Sequence, residues 1–403
     1  MARYHVDKMA DNVYLLRVDD NTTKYFEALW EIPEGITYNA YLVLGDEKNV
    51  LIDGWKVNYA KHLLDAISQI VEPRDIDYIV VNHMEPDHTG TLPALHSTAE
   101  KSVILGHPMA RRMASSFYEI TERIKPVKDL EEVDIGGGEK LVFHHTPWLH
   151  WPETMMTLLE PTGILFSCDA FGGYSIPREL YDNTDDVVES YLPYVRKYIY
   201  TVIGNYIQHI TKNLEKLGKR RVAPKLVAPG HGLVFRRNPQ RIIDYYASLA
   251  KGATTPRKVT VIYDSMYGFV EEQVSEALKH LEGHGAAPRI YKIVDTEHPH
   301  LADIIGDVAD SEAIVIGAST YEAGVFPLID YVASLIAHKV KHPKKVLILS
   351  SYGWGGIAGK KLSKTLEAAG HKVVATIEVN GRPSQSDRER IGEAVKVLLD
   401  ESS

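Results

Sequence analysis

The chain of 403 residues has one cysteine, Cys168. A single thiol cannot close an internal disulfide or build a four-cysteine iron centre within the chain. Long apolar runs are also missing: no stretch approaches the roughly 18 residues a transmembrane helix needs. The opening Met-Ala-Arg-Tyr-His-Val-Asp holds no apolar signal core, so a cytoplasmic location and no membrane association are expected. Basic charge is not in excess, with 45 Lys plus Arg against 54 Asp plus Glu and a formal charge of −9. That balance argues against a nucleic-acid or anionic-membrane surface, which needs clustered cations. Low-complexity tracts are absent, and 44% hydrophobic with 25% charged residues is the composition of an ordinary globular protein.

The length exceeds what one hydrophobic core organises, which predicts two domains. In the first 250 residues, short β-like runs at 40–44, 50–52, 78–82, 102–105, 141–144, 155–159 and 163–167 mix with helical stretches near 58–70, 108–118, 187–217 and 239–250. This pattern suits an α+β domain with αββα layers. Residues 251–257 are polar and contain both Gly and Pro, as a linker does, giving expected domains at 1–252 and 257–403. Beyond it the rhythm changes. Five apolar strands at 258–264, 289–293, 313–317, 346–350 and 372–376 alternate with amphipathic stretches near 269–285, 299–308, 327–339, 357–369 and 386–400. Such alternation predicts an α/β domain with a doubly wound, parallel five-stranded sheet, binding its ligand beyond the carboxyl ends of the strands.

His83-Met84-Glu85-Pro86-Asp87-His88 follows a buried strand and puts four possible metal ligands within six residues. Pro86 disfavours a continuous helix, so the segment reads as a loop that curls its side chains about a common point. His150, Asp169 and His231 each sit at a strand end or turn. Any one of them alone is as easily a solvated histidine or carboxylate; their order and context together match the metallo-β-lactamase fold. Zinc hydrolases of that fold carry His-x-His-x-Asp-His, whereas Glu85 here occupies the second histidine position. The resemblance implies His83, Glu85 and His150 on one metal, Asp87 and His231 on a second, Asp169 bridging, and His88 as a further ligand. Histidine with hard carboxylate oxygen favours non-haem iron over zinc.

In the second domain the first strand runs into Ser265-Met266-Tyr267-Gly268-Phe269-Val270 and a helix, a turn that can cradle phosphate but occurs in any doubly wound domain. Two further loops, Ser319-Thr320-Tyr321-Glu322-Ala323-Gly324 and Ser351-Tyr352-Gly353-Trp354-Gly355-Gly356, leave strand ends in the flavodoxin manner and favour FMN. With the His-x-Glu-x-Asp-His pattern in front, the chain resembles the flavodiiron protein family across essentially its whole length. The resemblance implies two irons and one FMN, and reduction of O2 to water, of NO to N2O, or both. It further implies an external electron donor such as rubredoxin or a reduced deazaflavin, and a head-to-tail homodimer or dimer of dimers. Tyr321 and Trp354 would pack near the flavin ring, and Tyr25, Glu27 and Trp151 near the metals. Val270 departs from the usual Thr or Ser and removes a hydroxyl donor to phosphate. Glu322 replaces a common Asn and brings negative charge toward the flavin. The competing readings are a binuclear zinc hydrolase and an electron carrier fused to a purely structural metal-binding domain.

Overall fold

The computed structural model describes residues 3–400. They form two compact units: the chain up to Tyr198 with Gln208–Ala247, and Ile199–Ile207 with everything from Ser248 on.

The first unit is built on two sheets. One has the strand order Arg3–Lys8, Val13–Asp20, Ile36–Leu44, Asn49–Ile52, Tyr78–Val81, Val103–Gly106, Ile124–Pro126. Its first four strands pair antiparallel and the last three join parallel. The other runs Glu132–Gly136, Glu139–His145, Met155–Glu160, Ile164–Cys168, Leu226–Pro229, with only the last pair parallel. Alternate residues of both sheets meet in one core: Val13, Leu15, Tyr41, Val43 and Ile52 from the first, Leu141, Phe143, Leu159, Ile164 and Phe166 from the second. Burying those two apolar faces against each other drives the layering. Helices Ala60–Ile67 and Pro108–Tyr118 pack on the first sheet. Helix Gln208–Lys219 lies along the second, where Lys216 Nζ donates to the His145 carbonyl at 2.7 Å and Arg220 forks onto Asp129 at 2.8 and 2.7 Å.

Two local expectations change. The predicted helix 187–217 is interrupted: helix Asp185–Tyr198 passes through a π-turn at Ile199–Ile203 and a 3-10 turn at Gly204–Tyr206 before Gln208–Lys219. Ile199–Ile203 is buried on every side, so it does not follow the one-faced helix pattern. The segment 83–88 is only half loop. Pro86–Thr89 forms one helical turn with Pro86 at its first position, where a missing N–H is harmless.

The second unit has a parallel sheet in the order Ala287–Ile293, Lys258–Asp264, Ala313–Tyr321, Lys345–Tyr352, Lys372–Asn380, to which the short strand Gly324–Val325 adds as a hairpin. This 2-1-3-4-5 order places a switch point beside the first strand. The 251–257 segment is tied to this unit through Thr255, which donates from its backbone and side chain to Asp310 at 2.7 and 2.9 Å. Among the described residues no helix is long and apolar enough to cross a membrane.

Candidate metal centre and flavin cleft

The metal-ligand candidates hang from strand ends of both sheets. His83 follows Tyr78–Val81, and His150 follows Glu139–His145. Asp169 and His231 leave the adjacent parallel strands Ile164–Cys168 and Leu226–Pro229 at the same end, tied by the Gly230 N–H to the Cys168 carbonyl at 2.6 Å. Cys168 adopts φ 49°, in the left-handed region, which turns the chain so that Asp169 follows at the rim of the core.

Three overlapping groups of ligand atoms result. His83, Glu85, His150 and Asp169 form the first, Asp87, His88 and His231 the second, and His88 and Asp169 meet again in a third with the buried Cys168. In the first, His150 Nε2 lies 2.8 Å from Glu85 Oε2, and His83 Nε2 lies 3.3 Å from the same oxygen. Asp169 faces the first two groups. Its Oδ2 is 3.3 Å from His83 Nε2 and 3.4 Å from His150 Nε2, while Oδ1 is 3.0 Å from His88 Nε2 and 3.2 Å from His231 Nε2. His231 Nε2 also lies 3.5 Å from Asp87 Oδ2.

Both Asp87 oxygens, Asp169 Oδ2 and His231 Nε2 are buried with no hydrogen-bond partner. Orphaned polar atoms are costly in an interior. Here they converge, which is the arrangement cations satisfy, and imidazole with carboxylate is a donor set that fits iron. The same convergence couples the charges of these groups. Burial alone would lower His83, but the charge of Asp169 and the hydrogen-bonded Glu153 and Glu85 carry its imidazole up to about 10. Against the same burial, Asp87 and Asp169 hold His88 up to about 10. Burial works to raise Glu85 and Asp169, yet the surrounding imidazoles keep both below the usual carboxylate range.

A layer of residues that the sequence did not single out supports this cluster. Glu153 Oε1 sits 2.8 Å from His83 Nδ1, His231 Nδ1 donates to the Thr37 carbonyl at 2.7 Å, and the Tyr198 hydroxyl donates to Asp169 Oδ1 at 2.7 Å. Glu153 was visible three residues after His150, but its partner is 70 positions upstream, a pairing only folding reveals. Phe26, Tyr38 and Tyr198 ring His231 at 6.1, 5.6 and 5.5 Å between centroids. Trp151 packs edge-on to His83 at 4.9 Å. The short strand Tyr25–Phe26 alternates faces, so Phe26 turns inward while Tyr25 is 54% exposed; Glu27 is exposed as well. Phe26, which the sequence did not single out, stands beside His231.

In the second unit a cleft of about 300 Å³ opens at the carboxyl ends of the strands. It is lined by Ser265, Met266, Tyr267, Phe269, Val270, Ser319, Thr320, Ser351, Tyr352, Gly353 and Trp354 from the three loops. Gly381, after the last strand, also lines it and was not foreseen. Gly268, Tyr321, Glu322, Ala323, Gly324, Gly355 and Gly356 stay outside the lining. Ser265 Oγ accepts from the Gly268 N–H at 3.1 Å and folds the first loop over the start of helix Phe269–Gly283. Trp354 and Tyr267 are 83% and 82% exposed beside the cleft. Large apolar rings left in water at a cleft mouth suit a flat aromatic ligand.

Together these features define a metallo-β-lactamase-like metal-binding domain followed in one chain by a flavodoxin-like domain. A family model described as ODP family beta lactamase matches residues 36–232. The nitric oxide reductase of Moorella thermoacetica is 30% identical over 370 residues, 91% of each chain. A flavo di-iron protein structure from Thermotoga maritima superimposes with a TM-score of 0.94 at 45% identity over the whole of both chains. The rubredoxin oxygen:oxidoreductase structure from Desulfovibrio gigas gives 0.92 at 27% identity over 98% of each. The chain belongs to the flavodiiron protein family.

Proposed function

We propose that this chain is a flavodiiron oxidoreductase that reduces O2 to water, NO to N2O, or both, with electrons entering through FMN from an external donor such as rubredoxin or a reduced deazaflavin. The observation that carries the reading is the convergence of His83, Glu85, His150 and Asp169 with Asp87, His88 and His231 about buried ligand atoms that no protein group satisfies. Glu85 in place of the hydrolase histidine, together with the flavin cleft, favours redox chemistry over zinc hydrolysis.

His83, Glu85 and His150 would hold one iron, Asp87, His88 and His231 the second, with Asp169 offering one oxygen to each. When bound, two ferrous ions and one reduced FMN supply four electrons, the number O2 needs to become two waters; coupling two NO molecules to N2O and water needs two. The protein's own part is placement and exclusion. Tyr198 pins one oxygen of Asp169, Trp151 wedges against His83, and the rings about His231 keep water from that side. Ser265 and the backbone at the start of helix Phe269–Gly283 would receive the phosphate of FMN. A head-to-tail homodimer, bringing one subunit's flavin to the other's metals, completes the proposal.

The test is the metal and flavin content of protein purified without oxygen from cells given both iron and zinc, followed by gas consumption with a chemically reduced donor. Two irons and one FMN per chain, with O2 or NO consumed, is the expected result. Two zincs without flavin would sink it.

A further inference from the structure

The histidines on the two sides of the metal centre are backed by different partners. His83 aims Nε2 at the cluster, and its Nδ1 lies 2.8 Å from Oε1 of Glu153. That oxygen also accepts the Met84 N–H at 3.1 Å, and Glu153 is only 1% exposed. With Nε2 turned to a metal, Nδ1 carries the hydrogen and donates it to a carboxylate. On the other side His231 Nδ1 donates to a backbone carbonyl, that of Thr37, at 2.7 Å. His88 Nδ1 is buried with no hydrogen-bond partner. By hydrogen bond, His83 is thus backed by a carboxylate and His231 by a neutral dipole.

We propose that Glu153 is a positioning residue that makes the two metal positions unequal. By drawing on the Nδ1 hydrogen of His83 it strengthens that imidazole as a donor. The position held by His83, Glu85 and His150 then binds a divalent ion more tightly than the position held by Asp87, His88 and His231. The buried charge acts with little solvent between it and the ring. When iron fills both positions, extra negative charge favours the ferric state, so the Glu153-backed iron has the lower potential. This inference rests on the diiron reading above and adds a direction to it.

Glu153→Gln isolates the charge, because an amide oxygen of the same reach still accepts from His83 and Met84. Metal-free parent and variant would each be titrated with Zn²⁺ against a chelating competitor. Two zincs per chain are expected in both, with one step weakened about 10- to 100-fold in the variant and the other unmoved. After iron loading, the lower of the two potentials should rise toward the upper, narrowing the window in which the half-oxidised pair gives its EPR signal. Equal weakening of both steps, or no change in either, would overturn the proposal and leave Glu153 as a loop support. If the variant does not fold, the zinc-loaded parent carries the same test by NMR. The Nδ1 proton of His83 should then resonate further downfield than that of His231, and the reverse order overturns the proposal. A parent that binds fewer than two zincs overturns the diiron reading itself, and this inference with it.

Discussion

Glu85 touches both histidines of its group, at 2.8 Å to His150 and 3.3 Å to His83, so replacing it alters the centre without moving the strands that carry it. Glu85→His restores the hydrolase pattern. The ratio of zinc to iron in protein from cells given both should rise about tenfold, on the order of 1.4 kcal/mol in relative preference, read by elemental analysis. Glu322 and Ala323 occupy the tip of a two-residue hairpin at φ 46° and 56°, between the pairs Tyr321↔Gly324 and Thr320↔Val325. Both lie in the left-handed region, where Asn-Gly is the favoured pair. Changing the two to Asn and Gly should stabilise the flavodoxin-like domain by about 1 kcal/mol, seen as a higher midpoint in thermal denaturation.

At the scale of elements, the first strand of the second unit ends in Asp264, whose Oδ1 accepts the Ser319 N–H at 2.9 Å while Oδ2 is buried without a hydrogen-bond partner. Burial raises its carboxyl to about 6, even though Ser319 hydrogen bonds pull the other way. A raised acid is most at home protonated. Its contribution is fully present below about pH 4 and is lost as pH climbs through 6, where the ionised form costs about 3 kcal/mol. Asp264→Asn should match the parent at pH 4 and exceed it at pH 8, measured as thermal midpoints of flavin-free protein. The interruption after Tyr198 is equally specific. A Cβ on Gly204 would stand 2.7 Å from the Lys339 carbonyl, so Gly204→Ala should destabilise by about 1–3 kcal/mol, read in the same way.

For the whole molecule, the exposed Trp354 and Tyr267 beside the flavin cleft are apolar area that a flavin and a second subunit would cover. If turnover requires a dimer, specific activity should fall on dilution through the dissociation range found by analytical ultracentrifugation, while iron and FMN per chain stay constant. Constant specific activity across that range would leave each chain competent alone.

The sequence determined the alternation of strand and helix after residue 257 and the composition of the metal cluster, because both are local: periodicity lies in neighbouring residues, and ligand identity lies in the side chain. It also determined the order of loops at the flavin cleft, since doubly wound sheets place successive strand ends on one rim. Tertiary structure alone decided which partner backs each ligand. Glu153 against His83, Thr37 against His231 and Tyr198 against Asp169 join positions far apart in the chain, with no periodic signature. It also decided the half-exposed edge strand Arg3–Lys8, whose partner Val13–Asp20 gives it a face to pair, and the turns at 199–206, where burial on all sides replaced the one-sided pattern of a surface helix. Each of these depends on what lies across a packed interface, which no window of neighbouring residues contains.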